Sequence, residues 1–179
     1  MSEVYRLRIF YKKEGIARFI SHKDFCKIIE RTLRRLDTPF KFTEGFHPHP
    51  KISFGPSLPV NFSGENEALD IFLIEKIDVE NFIKRVNLIL PEGIEFLRGI
   101  WVEKKSPSLS SLDLKAVYKI EKGEQFNREE IEKIGKIINE TPQFIEILIK
   151  IKNFSHKKLT EVCGKKEVRR RIIWNEREI

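Results

Sequence analysis

Proline and glycine are concentrated in one stretch of the chain, and this stretch restricts the possible folds more than any other feature. Four of the eight prolines lie at positions 48, 50, 56 and 59, in the run EGFHPHPKISFGPSLPVNFSG that covers residues 44–64. Because proline lacks a backbone donor and fixes φ, this run cannot form a regular central strand throughout. It predicts a long, semi-rigid connection in which only ISF, residues 52–54, pairs briefly with a neighbour. Long connections of this kind commonly carry function.

Regular elements are predicted on both sides of this connection. Ser21 as the N-cap and Asp24 three residues later predict the start of a helix, and apolar residues at helical spacing continue it to residue 37. Asp78 caps a second predicted helix, which Pro91 stops. Alternation predicts the strands. The predicted strands are 4–13, a short one at 16–20, one starting at 38–42, then 67–77 and 93–104, and the predicted helices are 21–37 and 78–90.

The order of these elements predicts an α+β fold. The order β-α-β-β-α-β is the split βαβ pattern of ferredoxin-like domains, so we expect residues 1–105 to form a ferredoxin-like domain with the Pro-rich loop inserted. The polar segment 104–111 predicts a linker. Residues 112–179 are expected to form a smaller β-α-β-α-β unit, with strands at 114–120, 143–151 and 167–174 and helices at 127–140 and 155–164. No tandem repeat is detectable in the sequence.

The charge of the chain is positive and unevenly distributed. The net charge is +7 and the pI about 9.4. Residues 1–51 and 150–179 each carry a net charge of +6, whereas residues 52–105 carry −3. A basic surface attracts polyanions, RNA above all, by counterion release. The alternative is a solvated surface rich in lysine and glutamate, of the kind that thermophilic proteins favour.

Apolar patterning and cysteine content indicate a cytoplasmic protein with no membrane association. The chain has no run of 18 apolar residues that would predict a transmembrane helix, and MSEVYRLRIFYKK lacks the layout of a signal peptide. Cys26 and Cys163 lie far apart in the sequence and are expected to be free thiols. Two cysteines also exclude a Cys-only iron–sulfur or zinc site within this chain.

Three runs form a dense motif over residues 5–75: RLRIFYKKEGIARFIS, ISHKDFCKIIERTLRRLDTPFKFTEGFHPHPKISFGPSLPV and ENEALDIFL. Together they resemble the radical SAM-linked protein family, a bacterial domain of unknown function (DUF2344-like). The resemblance weakens over residues 106–179, and His47 stands where the family has asparagine. The matching residues are Ser21, His22, Asp24, Arg31, Leu33, Arg34, Arg35, Pro39, Gly45, Phe46, Pro48, His49, Pro50, Lys51, Ser53, Phe54, Leu58, Pro59, Glu67, Leu69 and Asp70.

This resemblance implies a partner more clearly than it implies a reaction. Members of the family occur as separate proteins or fused behind a radical SAM enzyme, often beside genes for RNA processing or ribosome function, and no chemistry is established for the domain. A more distant resemblance, at the level of fold, links the family to CRISPR RNA endonucleases of the RAMP class. The resemblance therefore implies a radical SAM protein as a partner.

We expect a non-catalytic accessory protein of a radical SAM enzyme that binds RNA or a ribonucleoprotein. Exposed aromatic rings among basic groups are typical of single-stranded RNA sites, although each phenylalanine taken singly is more typical of a core. The basic segment 167–179 would add phosphate contacts, or would be a solvated edge strand. The residues expected to bind RNA or the partner are Ser21, His22, Asp24, Arg31, Arg34, Arg35, Phe46, His49, Lys51 and Phe54.

Two other functions remain open from the sequence. A metal-independent ribonuclease of RAMP-like geometry would use His22, His49 and Lys51 as base, acid and cation, although a histidine near a helix N-terminus tends to stay neutral. A pure protein-docking subunit would need no site chemistry. Zinc at His22, Cys26, His47 and His49 is disfavoured because His47 and Cys26 stand outside the motif. We therefore expect neither a metal nor a cofactor.

Overall fold

The computed structural model of the chain describes residues 3–103, 105–123, 126–152, 154–164 and 166–175. Its strands are β1 (Tyr5–Lys13), β2 (Ile52–Phe54), β3 (Phe62–Leu73), β4 (Ile94–Val102), β5 (Lys115–Glu121), β6 (Lys136–Glu140), β7 (Phe144–Lys150) and β8 (Val168–Ile173). Its helices are α1 (His22–Arg34), α2 (Val79–Asn87), α3 (Arg128–Ile134) and α4 (His156–Cys163). Among these helices, none has the length and apolar character needed to span a bilayer.

The described strands form one mixed sheet, so the predicted α+β class is confirmed. The strand order is β4-β1-β3-β8-β5-β7-β6, and β2 pairs with the second half of β3. Residues 62–65 of β3 run parallel to residues 168–171 of β8, and this parallel pair joins the two halves of the chain. Every other strand pair described is antiparallel.

The two halves repeat one arrangement of elements. The first half has the order β1-α1-β2-β3-α2-β4, and the second has the order β5-α3-β6-β7-α4-β8. Their strands neighbour one another in equivalent orders, β4-β1-β3-β2 and β8-β5-β7-β6. The order β-α-β-β-α-β predicted for the first half is present, but β2 takes the place of the strand predicted to start at 38–42. The second half contains one strand more than its sequence predicts.

The additional strand is β6, which corrects the predicted helix over 127–140. The helix ends at Ile134, and the next residues pair with β7, Ile137 opposite Ile147. Gly135 explains the break, since an added Cβ at this position would lie 3.0 Å from the carbonyl oxygen of Leu148. The glycine thus lets the chain pass close to the backbone of β7.

Two short predicted strands in the first half are also wrong. Residues 16–20 fall mostly in a 3-10 turn, Gly15–Phe19, in which Ala17 is buried while Ile16 and Phe19 are exposed. That burial pattern is incompatible with an alternating strand that packs on one face. Residues 38–42 contain isolated bridges only, because this segment leaves the sheet to form a hairpin. Lys104, at the predicted end of the strand over 93–104, lies outside the described residues.

All four helices lie on the same face of the sheet. Phe25 and Leu33 of α1 and Phe82 of α2 pack on β1 and β3 in the first core. The second core lies between α3, α4 and the strands of the second half, and it includes Leu58 and Phe62 from the first half. The division of the chain into domains at 1–105 and 112–179 stays a prediction. Leu58 and Phe62 belong to the first of these segments but pack in the core of the second.

The predicted linker crosses the opposite face of the sheet. Leu109, within the 3-10 turn Leu109–Ser111, is completely buried against Phe10 and Ala68. Arg6 donates hydrogen bonds to the carbonyl oxygens of Ser106 and Pro107, both at 2.8 Å. The segment is therefore fastened to the sheet rather than a free tether.

Candidate functional site

The proline-rich connection begins with an irregular hairpin over residues 40–51. The N–H of Thr43 donates to the carbonyl of His49 at 2.8 Å, and the N–H of Lys51 donates to the carbonyl of Lys41 at 2.7 Å. The Thr43 hydroxyl also accepts from the N–H of His49 at 3.2 Å. Gly45, with φ of +125°, makes the turn at the tip. These bonds give the loop a defined shape without long runs of strand pairing.

Helix α1 supports one side of this hairpin. Ser21 is its N-cap, as predicted: its hydroxyl accepts from the N–H of Asp24 at 3.1 Å and donates to the Asp24 carboxylate at 2.7 Å. The Ser21 hydroxyl holds the pKa of Asp24 below its usual range. Near the other end, Arg34 binds Glu30 and donates to the carbonyl of Pro48 at 2.7 Å. Arg34 thus fixes the hairpin to the helix.

The remaining arginines of the predicted site are available to a ligand. Arg31 and Arg35 are exposed, and their side chains form no hydrogen bond or ion pair with the described part of the chain. Both lie on the same end of α1 as Arg34. They are therefore unneutralised charges beside the hairpin.

The aromatic residues of the predicted site have different environments. The Phe46 side chain, at the hairpin tip, is 101% exposed. Phe54 instead packs against the first core and contacts Phe25 edge to face, while Phe62 is buried in the second core. Phe46 therefore has the most exposed ring of the hairpin, and Phe42, at 46% exposure, is the second exposed phenylalanine there.

A groove of about 350 Å³ lies between α1 and the base of the hairpin. His49, exposed on the hairpin side, faces Lys23 and Lys27 of α1 across it. Its lining residues are Lys23, Cys26, Lys27, Glu30, His49, Pro50, Ile52 and Phe54. The groove combines a basic rim with a partly apolar floor.

His22 lies beneath this groove and is half-buried. Its Nε2 is 3.6 Å from the Cys26 sulfur, and its ring meets Phe54 edge to face with centroids 5.9 Å apart. Burial and the positive charges of Lys13 and Arg170 lower its pKa. His22 therefore stays neutral at neutral pH, which makes it a poor proton donor.

Lys51 lies apart from the two histidines. Its ammonium is 5.0 Å from the ring centroid of Phe72. Phe72 lies between Ile71 and Leu73, which face the first core, so alternation places Phe72 on the opposite face of the sheet. His22, His49 and Lys51 are therefore not gathered around one reacting atom.

A buried charged cluster joins the two halves, and the sequence did not predict it. Arg170 of β8 donates to both carboxylate oxygens of Glu67, at 2.8 and 2.6 Å, and to the carbonyls of Pro56 and Ser57. Burial raises the pKa of Glu67, while the Arg170 guanidinium opposes that shift. The cluster braces the second half of the Pro-rich connection. The basic residues of EVRRRIIWNEREI suggested an exposed edge strand, whereas β8 pairs with β3 on one side and β5 on the other. The last four residues of this segment lie outside the described residues.

His156 extends this cluster toward α4. Its Nε2 is 3.0 Å from the Tyr118 hydroxyl and 3.4 Å from Nη1 of Arg170. Because a guanidinium can only donate, Nε2 must accept, so the ring is neutral at this atom. Burial and the Arg170 charge lower the pKa of His156 to about 4.

The described residues contain no cluster of three or more His, Cys, Asp or Glu side chains placed to hold a metal ion. His47 lies exposed in the hairpin tip, away from the His22–Cys26 pair. Both cysteines are free, as predicted, and burial raises the pKa of each thiol, to about 12 for Cys163. Burial therefore makes both thiols weak nucleophiles.

Comparison with known families extends the sequence resemblance into the second half. A family model described as an uncharacterized protein conserved in bacteria (DUF2344) matches residues 6–172. A search of curated proteins found no match. The matched region contains α1, the hairpin and the cluster of Glu67, His156 and Arg170. Since the match covers both halves, the chain belongs to this family of uncharacterized bacterial proteins.

Proposed function

We propose that this protein is a non-catalytic accessory protein that binds single-stranded RNA, free or within a ribonucleoprotein, at the surface formed by α1 and the hairpin 40–51. The exposure of Phe46 carries the proposal. A fully exposed phenylalanine gains nothing for folding, yet Arg34 holds the hairpin that presents it. Aromatic rings presented in this way stack on unpaired bases.

The charges of α1 beside the hairpin suit a phosphate backbone. Arg31 and Arg35 are exposed without partners, and Lys23 and Lys27 line the groove on the same helix. Arginine and lysine side chains of this kind contact phosphates and release counterions. The groove beside His49 offers partly apolar space for a neighbouring base.

A radical SAM enzyme is the partner that we propose for this RNA-binding protein. Support for this part comes from the motif shared with radical SAM-linked proteins. Affinity purification of the tagged protein from its native host tests this partnership. A radical SAM protein should co-purify with the unchanged protein and should be lost with Phe46→Ala. If no radical SAM protein co-purifies with either the unchanged protein or the variant, the partnership is contradicted.

Fluorescence anisotropy with a labelled uridine oligomer of about 20 nucleotides tests RNA binding. Phe46→Ala should weaken binding about five- to hundredfold, because stacking on one base contributes about 1–3 kcal/mol. Leu88→Ala is the matched control, since Leu88 is 87% exposed and follows α2. Equal effects of the two substitutions, or no binding by the unchanged protein at low salt, would overturn the proposal.

Charge removal tests the phosphate contacts separately. Arg31→Gln/Arg35→Gln should reduce the slope of log affinity against log salt by about 1.4, since each phosphate contact in single strands contributes about 0.7. Lys84→Gln/Arg85→Gln removes the same charge from the end of α2, where both side chains are exposed. An equal reduction of the slope in this control would show that net charge alone governs binding.

We do not propose RNA cleavage at this surface, because Lys51 lies on the other face of the sheet from His22 and His49. An RNA cleavage assay nevertheless tests the ribonuclease alternative directly. Labelled RNA incubated with pure protein and EDTA should remain intact. Cleavage that disappears in His22→Ala or His49→Ala would contradict the non-catalytic assignment.

A further inference from the structure

In the described part of the chain, no helix lies on one face of the second half of the sheet. On β5, β7 and β8 the residues that face α3 and α4 alternate with residues that point to the other side. Residues directed to this other side are Lys115, Val117, Lys119 and Glu121 on β5, Phe144, Glu146, Leu148 and Lys150 on β7, and Arg169 and Arg171 on β8. Lys136 of β6 joins them, since it pairs with Leu148. We call these residues the open sheet face.

Cations outnumber carboxylates on the open sheet face. It carries six Lys or Arg residues against Glu121 and Glu146. Arg169 pairs with Glu167 at 3.3 Å, and the ammonium of Lys119 lies 3.9 Å from the ring centroid of Phe144. The other four cations form no ion pair with any described residue, and they are Lys115, Lys136, Lys150 and Arg171.

The strand register places two of these cations directly opposite each other. Lys115 of β5 pairs with Lys150 of β7, and Ile173 lies on the other side of Lys115. Like charges opposite each other in a sheet are destabilising. Glu65 of β3 lies in register with Arg171 but not with the two lysines. A bound polyanion would neutralise this pair.

An apolar strip runs between the cations. Val117 lies in register with both Leu148 and Arg171, and Leu148 lies in register with Lys136. Val117 is buried at 5% exposure, so the accessible apolar surface of this strip comes from the half-buried Leu148 and Phe144. A flat surface with an apolar centre and cations on both sides suits a single strand whose bases are turned toward the sheet and whose phosphates follow the charges. A duplex keeps its bases stacked inside and could use only the cations.

The corresponding face of the first half is covered. Leu109 packs there against Phe10 and Ala68, and the guanidinium of Arg98 lies 3.7 Å from the ring centroid of Phe10. Two structurally equivalent halves of the sheet thus differ in access, because the described segment 105–111 crosses the face of the first half. The difference marks the second half as the accessible one.

We infer that the open sheet face is a second binding surface, for the sugar–phosphate backbone and bases of single-stranded RNA. It lies on the opposite side of the sheet from the helices, and so does not share the groove between α1 and the hairpin. The inference rests on charge complementarity and strand register in the second half. It does not depend on Phe46 or on the arginines of α1.

The test removes three unpaired cations from the intact protein. Lys115→Gln/Lys150→Gln/Arg171→Gln should weaken binding of the uridine oligomer about tenfold or more at about 50 mM salt, and should reduce the salt slope by about 2. Lys133→Gln/Lys157→Gln/Lys158→Gln removes the same charge from α3 and α4 and should change affinity less than about twofold. Thermal melts confirm that each variant is folded. If the triple variant is not folded, the binding test uses Lys150→Gln alone.

Each outcome separates this surface from the α1 surface. Loss of affinity in the open-face variant but not in its control supports the inference, whatever Phe46→Ala does. Three outcomes overturn the inference of a second surface. They are equal affinities of the variant and its control, no binding by the unchanged protein, and tighter binding of duplex DNA than of the oligomer. Loss with Phe46→Ala and none with the open-face variant would uphold the proposed function and reject the second surface.

Discussion

At the scale of single residues, Arg170 connects the two halves most directly. Its guanidinium binds the Glu67 carboxylate and two carbonyls of the Pro-rich connection, and both charged side chains are essentially inaccessible to solvent. Two charges removed from water are tolerated only when their geometry and remaining hydrogen bonds compensate for lost hydration. The pair therefore fixes one relative placement of β3, β8 and residues 56–57.

Breaking this pair from one side should be costly. Glu67→Gln leaves the Arg170 charge buried without a counter-ion, and the free energy of unfolding should fall by about 3–5 kcal/mol. Urea denaturation measures the change. Glu161→Gln, in an exposed pair on α4, should have a much smaller effect. The free energy of unfolding of the double variant Glu67→Gln/Arg170→Met should fall by less than the sum of the falls in the two single variants. If the two effects add, the side chains are not directly coupled.

His156 should make stability sensitive to acid. Its pKa falls from 6.5 to about 4 on folding because the ring is buried beside Arg170. Below pH 6.5 the unfolded chain binds a proton that the native ring does not, so stability falls as the pH falls toward 4. Between pH about 7.5 and about 5, the unfolding free energy should drop by about 2 kcal/mol from this residue.

The variant His156→Gln isolates that contribution. Glutamine retains an acceptor for Tyr118 but does not titrate in this range. Chemical denaturation at both pH values should therefore show a smaller pH dependence for the variant than for the unchanged protein. An unchanged dependence would mean that other groups, including His22, account for the acid sensitivity.

Local residue roles could be predicted from the sequence, whereas the central ion pair could not. The N-caps predicted at Ser21 and Asp78 are both present, because a cap depends only on residues three positions away, and Asn127 caps α3 in the same way. Glu67 and Arg170 are 103 positions apart. No local pattern indicates that β8 lies inside the sheet, so its three consecutive arginines, Arg169, Arg170 and Arg171, resembled those of an exposed edge strand.

At the scale of elements, the segment after α3 shows how one glycine decides between helix and strand. The apolar residues of KIINE fit either period, so the sequence allows the helix that begins after Asn127 to continue through them. Contact between Gly135 and β7 favours the strand. Tertiary packing thus overrides a local propensity that differs little between the two states.

The variant Gly135→Ala distinguishes these two structures by the sign of its effect. In a continuous helix, alanine would stabilise by about 1 kcal/mol. Against β7, the added Cβ would lie 2.8 Å from Ile149 and 3.0 Å from the carbonyl oxygen of Leu148, so we expect destabilisation of about 1–3 kcal/mol. Thermal or urea unfolding measures it.

A second glycine supplies the control for this substitution. An added Cβ at Gly123 would meet only the Lys166 side chain, at 3.2 Å, and that side chain can move. Gly123→Ala should therefore have little effect on stability. A stabilised Gly135→Ala protein would contradict β6 as described.

At the scale of the whole molecule, the duplication was invisible in the sequence because the halves share a burial pattern rather than residues. Strands β1 and β5 occupy equivalent places, yet β1 carries Arg6, Arg8 and Phe10 where β5 carries Lys115, Val117 and Lys119. The missed strand β6 also hid the equivalence, since without it the second half has one element fewer. Each half could be recognised as α+β, but their relation required the strand order.

The second half should not fold by itself. A fragment of residues 112–179 lacks Leu58 and Phe62 of its core, the Glu67 partner of Arg170, and the strand that neighbours β8. We expect poor chemical-shift dispersion and no cooperative unfolding for this fragment alone. Co-expression with residues 1–111 should restore both, and a well-folded isolated fragment would contradict the shared core.

The central position of β8 has a consequence for synthesis on the ribosome. Strand β8, the last in chain order among the described residues, is inserted between β3 and β5. Each of these two strands therefore keeps an unpaired edge until β8 has been translated. Exposed strand edges in a nascent chain invite pairing with other chains. A chain terminated before residue 168 would release such a product, so premature termination in this region should yield insoluble protein rather than a slightly shortened native one.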